Sequence, residues 1–198
     1  LNTQDYSSFL LQAQRSRAQI IGLANAGGDT INSIKQAAEF GIVRRGQKLA
    51  GLLVFLTDIH SLGLSIAQGL QFTEAFYWNL NAETRAWSLR FAPRRANRMP
   101  TQGQAGVYGG VLHFLKGVRE AGGLDDGAAI VRAMKALPTE DPLFGRGTIR
   151  ADGRKLHDIY LFEAKTPAES REPWDYYKVV RTIPAATAFR PLADGNCA

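Results

Sequence analysis

The chain has 198 residues, of which 45% are hydrophobic, and its formal net charge is +6 at pH 7. This hydrophobic content is sufficient for a buried core, so the class of intrinsically disordered proteins is excluded. The basic residues form short pairs in separate segments, such as Arg44-Arg45 and Arg94-Arg95, with acidic residues between the segments. Because nucleic-acid binding requires basic residues gathered on one face, we expect no nucleic-acid partner.

The first 80 residues alternate between helical and strand-like patterns of apolar residues. This alternation predicts an α/β fold with a parallel sheet covered on both faces and with strands that are buried on both sides. The predicted helices lie at 6–14, 30–40 and 61–69, and the predicted strands at 18–24, 48–56 and 70–78.

The pattern changes after residue 80. Helical spacing covers 82–94, 102–121 and 127–137 without a strand between these helices. Their apolar residues, Val107 and Val111 among them, have no sheet of their own to cover. Strand patterns return within 147–165, as two strands joined across Ala151-Asp152-Gly153, and at 174–183.

The small residues of "NAGGDT" follow the first predicted strand and precede a helix. They lack the glycine spacing of a dinucleotide fingerprint and the Gly-Lys-Ser/Thr ending of a phosphate loop, so we expect no nucleotide cofactor. The backbone of Asn25, Ala26 and Gly27 is predicted to lie in the crevice beyond the carboxyl ends of the strands, where such sheets place ligands. The alternative is a tight turn in which Asn25 bonds only to its neighbours.

A second strand end is predicted just before Asp58. Its carboxylate is suited to receive an ammonium or hydroxyl group of a ligand, or else it caps the following helix. His60, His113 and His157 have no paired spacing, so we expect no metal site.

No nucleophile motif is present, which argues against an enzyme. The aromatic run Phe76-Tyr77-Trp78 is predicted either to wall a ligand or to pack in the core. The chain starts at Leu1 rather than at a methionine, so we expect this start to be internal to a longer protein. The single cysteine, Cys197, is expected to form a disulfide with a residue outside this chain or to be a free thiol.

Several runs together resemble one family. The sequence resembles the C-terminal half of type I periplasmic solute-binding proteins of ABC importers, of the branched-chain amino-acid, leucine-binding-protein-like type and closest to the aromatic-acid subgroup. The runs that carry the resemblance include "GLANAGGDTINSIKQAAEFGI", "LAGLLVFLTDIHSLGL", "RMPTQGQAGVYGGVLHFLKGV", "IRADGRKLHDIYLFEAK" and "PWDYYKVVRTIP".

The resemblance implies two α/β lobes with a ligand held between them. Residues 1–76 would then form an α/β segment of the second lobe, a parallel sheet flanked by helices. Residues 77–140 would supply helices that pack on a largely absent first lobe, and 141–198 would supply the return strands of the second lobe and the C-terminal tail. The uncovered helices would therefore require an N-terminal half that this chain does not contain.

The resemblance also implies a site and a function. The ligand-binding residues carried over are Asn25, Ala26, Gly27, Thr57, Asp58 and Tyr77. The protein would be a periplasmic receptor that binds a small carboxylate, an aromatic acid or an amino-acid-like compound, and delivers it to an ABC permease in the membrane without chemical conversion. The alternative is the ligand-sensing domain of a regulator or receptor with the same fold. The isolated chain is expected to be paired with its N-terminal half or to self-associate.

Overall fold

The structure, a computed structural model, describes residues 4–195. Cys197, for which a disulfide or a free thiol is expected, lies outside the described residues. The chain divides into two compact units. The first unit contains the described residues up to Glu74 together with Leu161–Arg181, and the second contains Ala75–Tyr160 together with the described residues from Thr182 onward.

The order of helices and strands follows the sequence prediction closely. Short 3-10 turns connect some of the elements. The helices are α1 (Ser7–Arg15), α2 (Gly28–Glu39), α3 (Leu56–Leu62), α4 (Leu64–Ala67), α5 (Ala82–Phe91), α6 (Gln102–Ala121), α7 (Gly127–Ala136) and α8 (Ala185–Ala188). The strands are β1 (Ile20–Leu23), β2 (Lys48–Gly51), β3 (Gln71–Glu74), β4 (Thr139–Asp141), β5 (Gly145–Ile149), β6 (Lys155–Leu156), β7 (Ile159–Ala164) and β8 (Tyr177–Ile183).

A five-stranded sheet in the order β1-β2-β3-β7-β8 contains the predicted parallel core. Strands β1, β2 and β3 are parallel, and Gly51 of β2 is in register with Leu23 of β1 and with Phe72 of β3. The carboxyl ends of these three strands therefore lie at one edge of the sheet, which is the edge where ligands bind in open α/β sheets.

Within residues 4–195, the buried residues of the parallel strands lie on one face of the sheet, whereas the alternation of helices and strands predicted cover on both faces. The buried face carries Phe72, Phe162 and Tyr177, whose rings pack against one another, and α2, α3 and α4 contribute further apolar side chains. The opposite face carries Ile20, which is 57% exposed, and the exposed Thr73. The two crossover connections, β1 to β2 through α2 and β2 to β3 through α3 and α4, step across the sheet in the same direction, so these helices all cover the same face.

Strand β2 is shorter than predicted because the chain turns sharply at Gly51. A Cβ atom at this position would lie 2.3 Å from Cγ2 of the buried Val54, so only glycine allows this close return of the chain. Residues 52–55 form a loop and Leu56 begins α3. The third strand likewise ends at Glu74, and Phe76-Tyr77-Trp78 lies in the turn that follows rather than in a strand.

The second unit combines α5, α6 and α7 with a three-stranded antiparallel sheet. The predicted turn at 151–153 is confirmed, with Gly153 in the left-handed region at φ 85°. The sequence analysis did not foresee β4, which pairs with β5. Along α6, Val107, Val111 and Leu115 are exposed.

Among the described residues, none of the helices combines the length and the apolar character that crossing a membrane requires.

Candidate ligand-binding wall

Two strand-to-helix connections lie side by side at the carboxyl edge of the parallel strands. The first corner, residues 24–27, connects β1 to α2, and the second corner, residues 52–55, connects β2 to α3. The backbone N–H of Leu52 in the second corner donates to the carbonyl oxygen of Leu23 at 3.1 Å, so the second corner lies against the end of β1. Strands β1 and β2 are neighbours, so the two corners lie at the same edge of the sheet.

The side chain of Asn25 is bonded to helix α2. Its Oδ1 accepts a hydrogen bond from Oγ1 of Thr30 at 2.9 Å, and its Nδ2 donates to Oγ of Ser33 at 2.8 Å. Thr30 and Ser33 are buried, so both groups of the amide are used to hold α2 against the end of β1. These contacts fit the alternative in which Asn25 bonds to its neighbours.

The exposed residues of the first corner are Ala24, Ala26 and Gly27, and Gly28 at the start of α2 is exposed beside them. Gly27 is the N-cap of α2 and has φ 58° and ψ −130°, a backbone conformation that a side chain would strain. The first amides of a helix have no intrahelical partner and carry a partial positive charge. The corner therefore presents backbone donors, and Asp29 in the first turn of α2 offsets part of their positive potential.

Asp58 belongs to helix α3 rather than to the corner surface. Its Oδ2 accepts a hydrogen bond from the backbone N–H of Phe55 at 2.9 Å, and the residue is 8% exposed. Burial raises the pKa of Asp58, and the hydrogen bond from Phe55 acts in the opposite direction. The capping alternative fits this geometry, while a direct contact between Asp58 and a ligand stays a prediction. Thr57 is exposed beside it.

We expect Asp58→Ala to destabilise the protein by about 1 kcal/mol because the N–H of Phe55 loses its acceptor. Asp58→Asn keeps an acceptor oxygen and serves as the matched control. Urea unfolding measures both changes, and calorimetry measures the ligand affinity. If Asp58 only caps α3, affinity stays unchanged. An affinity loss of about 1.5 to 3 kcal/mol in both variants would instead indicate a charged contact with the ligand.

The difference in stability between Asp58→Asn and the unmodified protein is expected to depend on pH. Because the pKa of Asp58 is raised, the folded state binds this proton more tightly than the unfolded state. The stabilisation that this tighter proton binding provides is fully present below the ordinary aspartate pKa of about 3.9. It is lost as the pH rises through the pKa of Asp58 in the folded protein. The stability of Asp58→Asn relative to the unmodified protein should therefore increase between about pH 3 and pH 7.

Leu52 and Leu53 of the second corner were missed by the sequence analysis, which assigned them to a buried strand. They are 66% and 44% exposed, respectively, at the edge that also carries Ala26 and Gly27. The available signal was Gly51, because a glycine inside an apolar run often marks a bend. Two exposed leucines beside backbone donors form a wall that is partly apolar and partly polar.

The aromatic run after β3 belongs to the core of the second unit. Phe76, Tyr77 and Trp78 are all buried, and the ring of Tyr77 lies 6.0 Å from that of Trp78. Phe76 makes an edge contact with Trp87 at 6.1 Å. The core-packing alternative fits these contacts, and a ligand contact of Tyr77 stays a prediction.

Each of the three histidines has a partner within its own unit. His60 stacks on Trp174 with ring centroids 4.0 Å apart, and its Nδ1 lies 2.8 Å from the hydroxyl of Tyr176. His113 bonds to the carbonyl of Met134, and His157 to that of Asp158. Within residues 4–195, no group of histidine, cysteine or acidic side chains is arranged to hold a metal ion.

Comparison with known proteins identifies the family. The family described as periplasmic binding protein matches residues 1–170. The chain belongs to this family. A periplasmic binding protein from Burkholderia mallei has 48% identity and a TM-score of 0.88, and the alignment covers 97% of this chain and 50% of the other. No curated protein matches the chain.

Other solved structures agree with this assignment. A branched chain amino acid ABC transporter periplasmic ligand-binding protein from Burkholderia xenovorans LB400 has 41% identity and a TM-score of 0.88, with 98% of this chain and 51% of the other covered. A solute binding protein from R. palustris in complex with benzoate has 19% identity, a TM-score of 0.75 and coverage of 98% and 50%, a likeness that shows the fold alone.

The predicted resemblance and fold class are confirmed. The parallel sheet flanked by helices matches the type I periplasmic binding fold of ABC-transporter proteins, a family of binding proteins rather than enzymes. The chain spans about half the length of the solved structures it matches. The predicted division at residues 76 and 140 stays a prediction about the intact protein.

Proposed function

We propose that the protein containing this chain is the periplasmic solute-binding component of an ABC importer. It holds a small carboxylate between two lobes and releases it unchanged to a membrane permease. The observation that carries this proposal is the pair of adjacent corners at the carboxyl edge of the parallel strands, in a chain of this family. The opposing wall comes from the N-terminal half of the protein.

The proposed ligand class follows from the chemistry of the two corners. Exposed backbone around Ala26 and Gly27 at the start of α2 supplies donors for a carboxylate, as helix N-termini commonly do. Leu52 and Leu53 supply apolar surface for the body of the ligand. Proteins of this fold are found in complex with benzoate and with 3,4-dihydroxy benzoic acid, so the fold can hold an aromatic acid. A branched-chain amino acid also combines a carboxylate with an apolar body.

The predicted site residues divide into two roles in this proposal. Ala26, Gly27 and Thr57 contact the ligand from the second-lobe wall. Asn25 and Asp58 hold the two corners in place through their hydrogen bonds to Thr30, Ser33 and Phe55. For Tyr77, in the segment that follows β3, a contact with the ligand stays a prediction.

We expect the intact protein to bind benzoate or leucine with a dissociation constant in the micromolar range or below. This range corresponds to a binding free energy of about 8 kcal/mol or more in favour of the complex. Thermal-shift screening of benzoate, leucine and glucose, followed by calorimetry, tests this expectation. A protein stabilised by glucose alone would contradict the proposed ligand class.

The wall itself is tested with Leu53→Asp, which places a negative charge where the apolar body of the ligand is proposed to pack. We expect affinity to fall at least roughly tenfold, equivalent to about 1.4 kcal/mol. Leu124→Asp is the matched control because Leu124 is an exposed leucine of the second unit. An equal loss of affinity in both variants would argue against the second corner as part of the wall.

A further inference from the structure

A pocket lies at the amino edge of the parallel strands, the edge opposite to the two corners. It is bounded by the second half of α2, the turn that follows this helix, the start of β2, and α4. Its volume is about 600 Å³. Small-molecule sites commonly have volumes of about 300 to 1,000 Å³. We call this site the amino-edge pocket.

The walls of the amino-edge pocket come from one continuous segment of the chain. The residues that line it all fall between Ile34 and Gln68, within the first unit. Strands β2 and β3 are interior strands of the five-stranded sheet, so no further strand can pair beside them. The N-terminal half is proposed to close on the corners at the carboxyl edge, which is the other end of these strands. The walls of the pocket are therefore complete within this chain.

The floor of the amino-edge pocket is apolar. Ile34 and Leu49 are buried, and Ile66 of α4 continues this surface at the rim, where it is exposed. On the α2 side the lining residues Ala38 and Gly41 are small, which leaves the space open. An enclosed apolar cavity of about 150 Å³ holds one benzene ring, so this pocket has room for an apolar body larger than a single ring.

One charged residue, Arg44, lines the rim of the pocket. Its Nη2 donates to the carbonyl oxygen of Ala38 at 3.4 Å. Its Nε and Nη2 lie 3.7 and 3.8 Å from the position that a Cβ atom of Gly41 would take, so the guanidinium is held against the end of α2. Within residues 4–195 Arg44 forms no ion pair, and none of the lining residues is acidic. The pocket therefore combines an apolar floor with a positive charge that is available to an anion.

We propose that the amino-edge pocket is a second small-molecule site, which binds a monocarboxylate with an apolar body larger than a single ring, such as a medium-chain fatty acid. The carboxylate pairs with Arg44, whose planar guanidinium suits two parallel hydrogen bonds. The apolar body lies over Ile34, Leu49 and Ile66. A polyanion such as a nucleotide would require several cations, whereas one arginine matches a single carboxylate. The proposal does not depend on what the corners bind.

The test measures binding of octanoate to the intact protein by calorimetry. All proteins in the series carry Leu53→Asp, which weakens binding at the corners. We expect octanoate to bind at one saturable site and to bind at least roughly tenfold more weakly after Arg44→Gln, because the charged hydrogen bonds are lost. Arg45→Gln is the matched control, since it removes the same charge from an exposed neighbour that does not line the pocket. Melting temperatures confirm that the variants fold.

Two further ligands separate the charged rim from the apolar floor. 1-Octanol should bind more weakly than octanoate, and Arg44→Gln should leave its binding unchanged. Butyrate should also bind more weakly than octanoate because it covers less of the floor. Equal affinities for butyrate and octanoate would overturn the proposal.

The variants also separate this proposal from the proposed function. Equal losses in Arg44→Gln and Arg45→Gln would reduce the effect to net charge and overturn the second site. Octanoate binding that is present in the unmodified protein and abolished by Leu53→Asp alone would place this ligand at the corners. That result would overturn the second site and leave the proposed function standing. Absence of octanoate binding in both proteins would overturn the second site as well.

Discussion

Replacing Phe162 with alanine should destabilise the protein by about 3 to 5 kcal/mol, the range for removing a large aromatic side chain from a core. Phe162 is fully buried on β7, and its ring lies 6.2 Å from that of Phe72 and 5.2 Å from that of Tyr177. The substitution would leave a cavity in the aromatic layer that covers the buried face of the sheet. Urea unfolding of the intact protein, followed by circular dichroism, measures the change.

Val180→Ala is the matched control for Phe162→Ala. Val180 lies on β8 and is exposed, so its truncation should change stability by no more than about 0.5 kcal/mol. If Phe162→Ala changed the unfolding free energy as little as the control does, the buried face would not be the core that holds this unit together.

Separated from the rest of the protein, the 198-residue chain should bind ligand at least about a hundredfold more weakly than the intact protein, a difference of about 2.7 kcal/mol. Small-molecule sites draw their affinity from enclosing most of the ligand surface. The two corners supply a single wall, and the aligned relatives are about twice as long as this chain. Calorimetry on the two proteins, with the same ligand and buffer, gives the comparison.

The separated chain should also associate with itself. Val107, Val111 and Leu115 lie on one side of α6 and are exposed, and contiguous exposed apolar residues drive association. Light scattering should report oligomers, and Val111→Lys/Leu115→Lys should shift them toward monomers. Adding the N-terminal half should also reduce self-association, because it would cover the exposed side of α6. A stable monomer that binds ligand as tightly as the intact protein would show that the lobe boundary is misplaced.

Local features of the sequence were enough to predict most elements. The helix over 102–121 and the turn at Gly153 follow from spacing and turn chemistry that act within a few residues. The parallel arrangement of the first three strands follows from their alternation with helices. The family followed from extended runs such as the one around Asn25, and the comparison confirmed it.

The tertiary structure alone decided how the functional edge is built. Strand β2 ends where the Cβ-free Gly51 meets Val54, a contact that periodicity cannot reveal, and this ending exposes Leu52 and Leu53. The polar atoms of Asn25 and Asp58 had several available partners in the sequence, and the packing of α2 and α3 selected Thr30, Ser33 and the N–H of Phe55.

The surroundings of Arg94 give a second example of this limit. Arg94-Arg95 read along the chain is a short basic pair, but Arg94 lines a pocket together with Tyr108, which is 14 residues away and on another helix. The sequence determined which segments are helical, which are extended and which family they belong to, because these properties depend on neighbouring residues. The ends of strands, the exposed face of the sheet and the partners of polar groups depend on contacts between distant residues, so only the folded chain decides them.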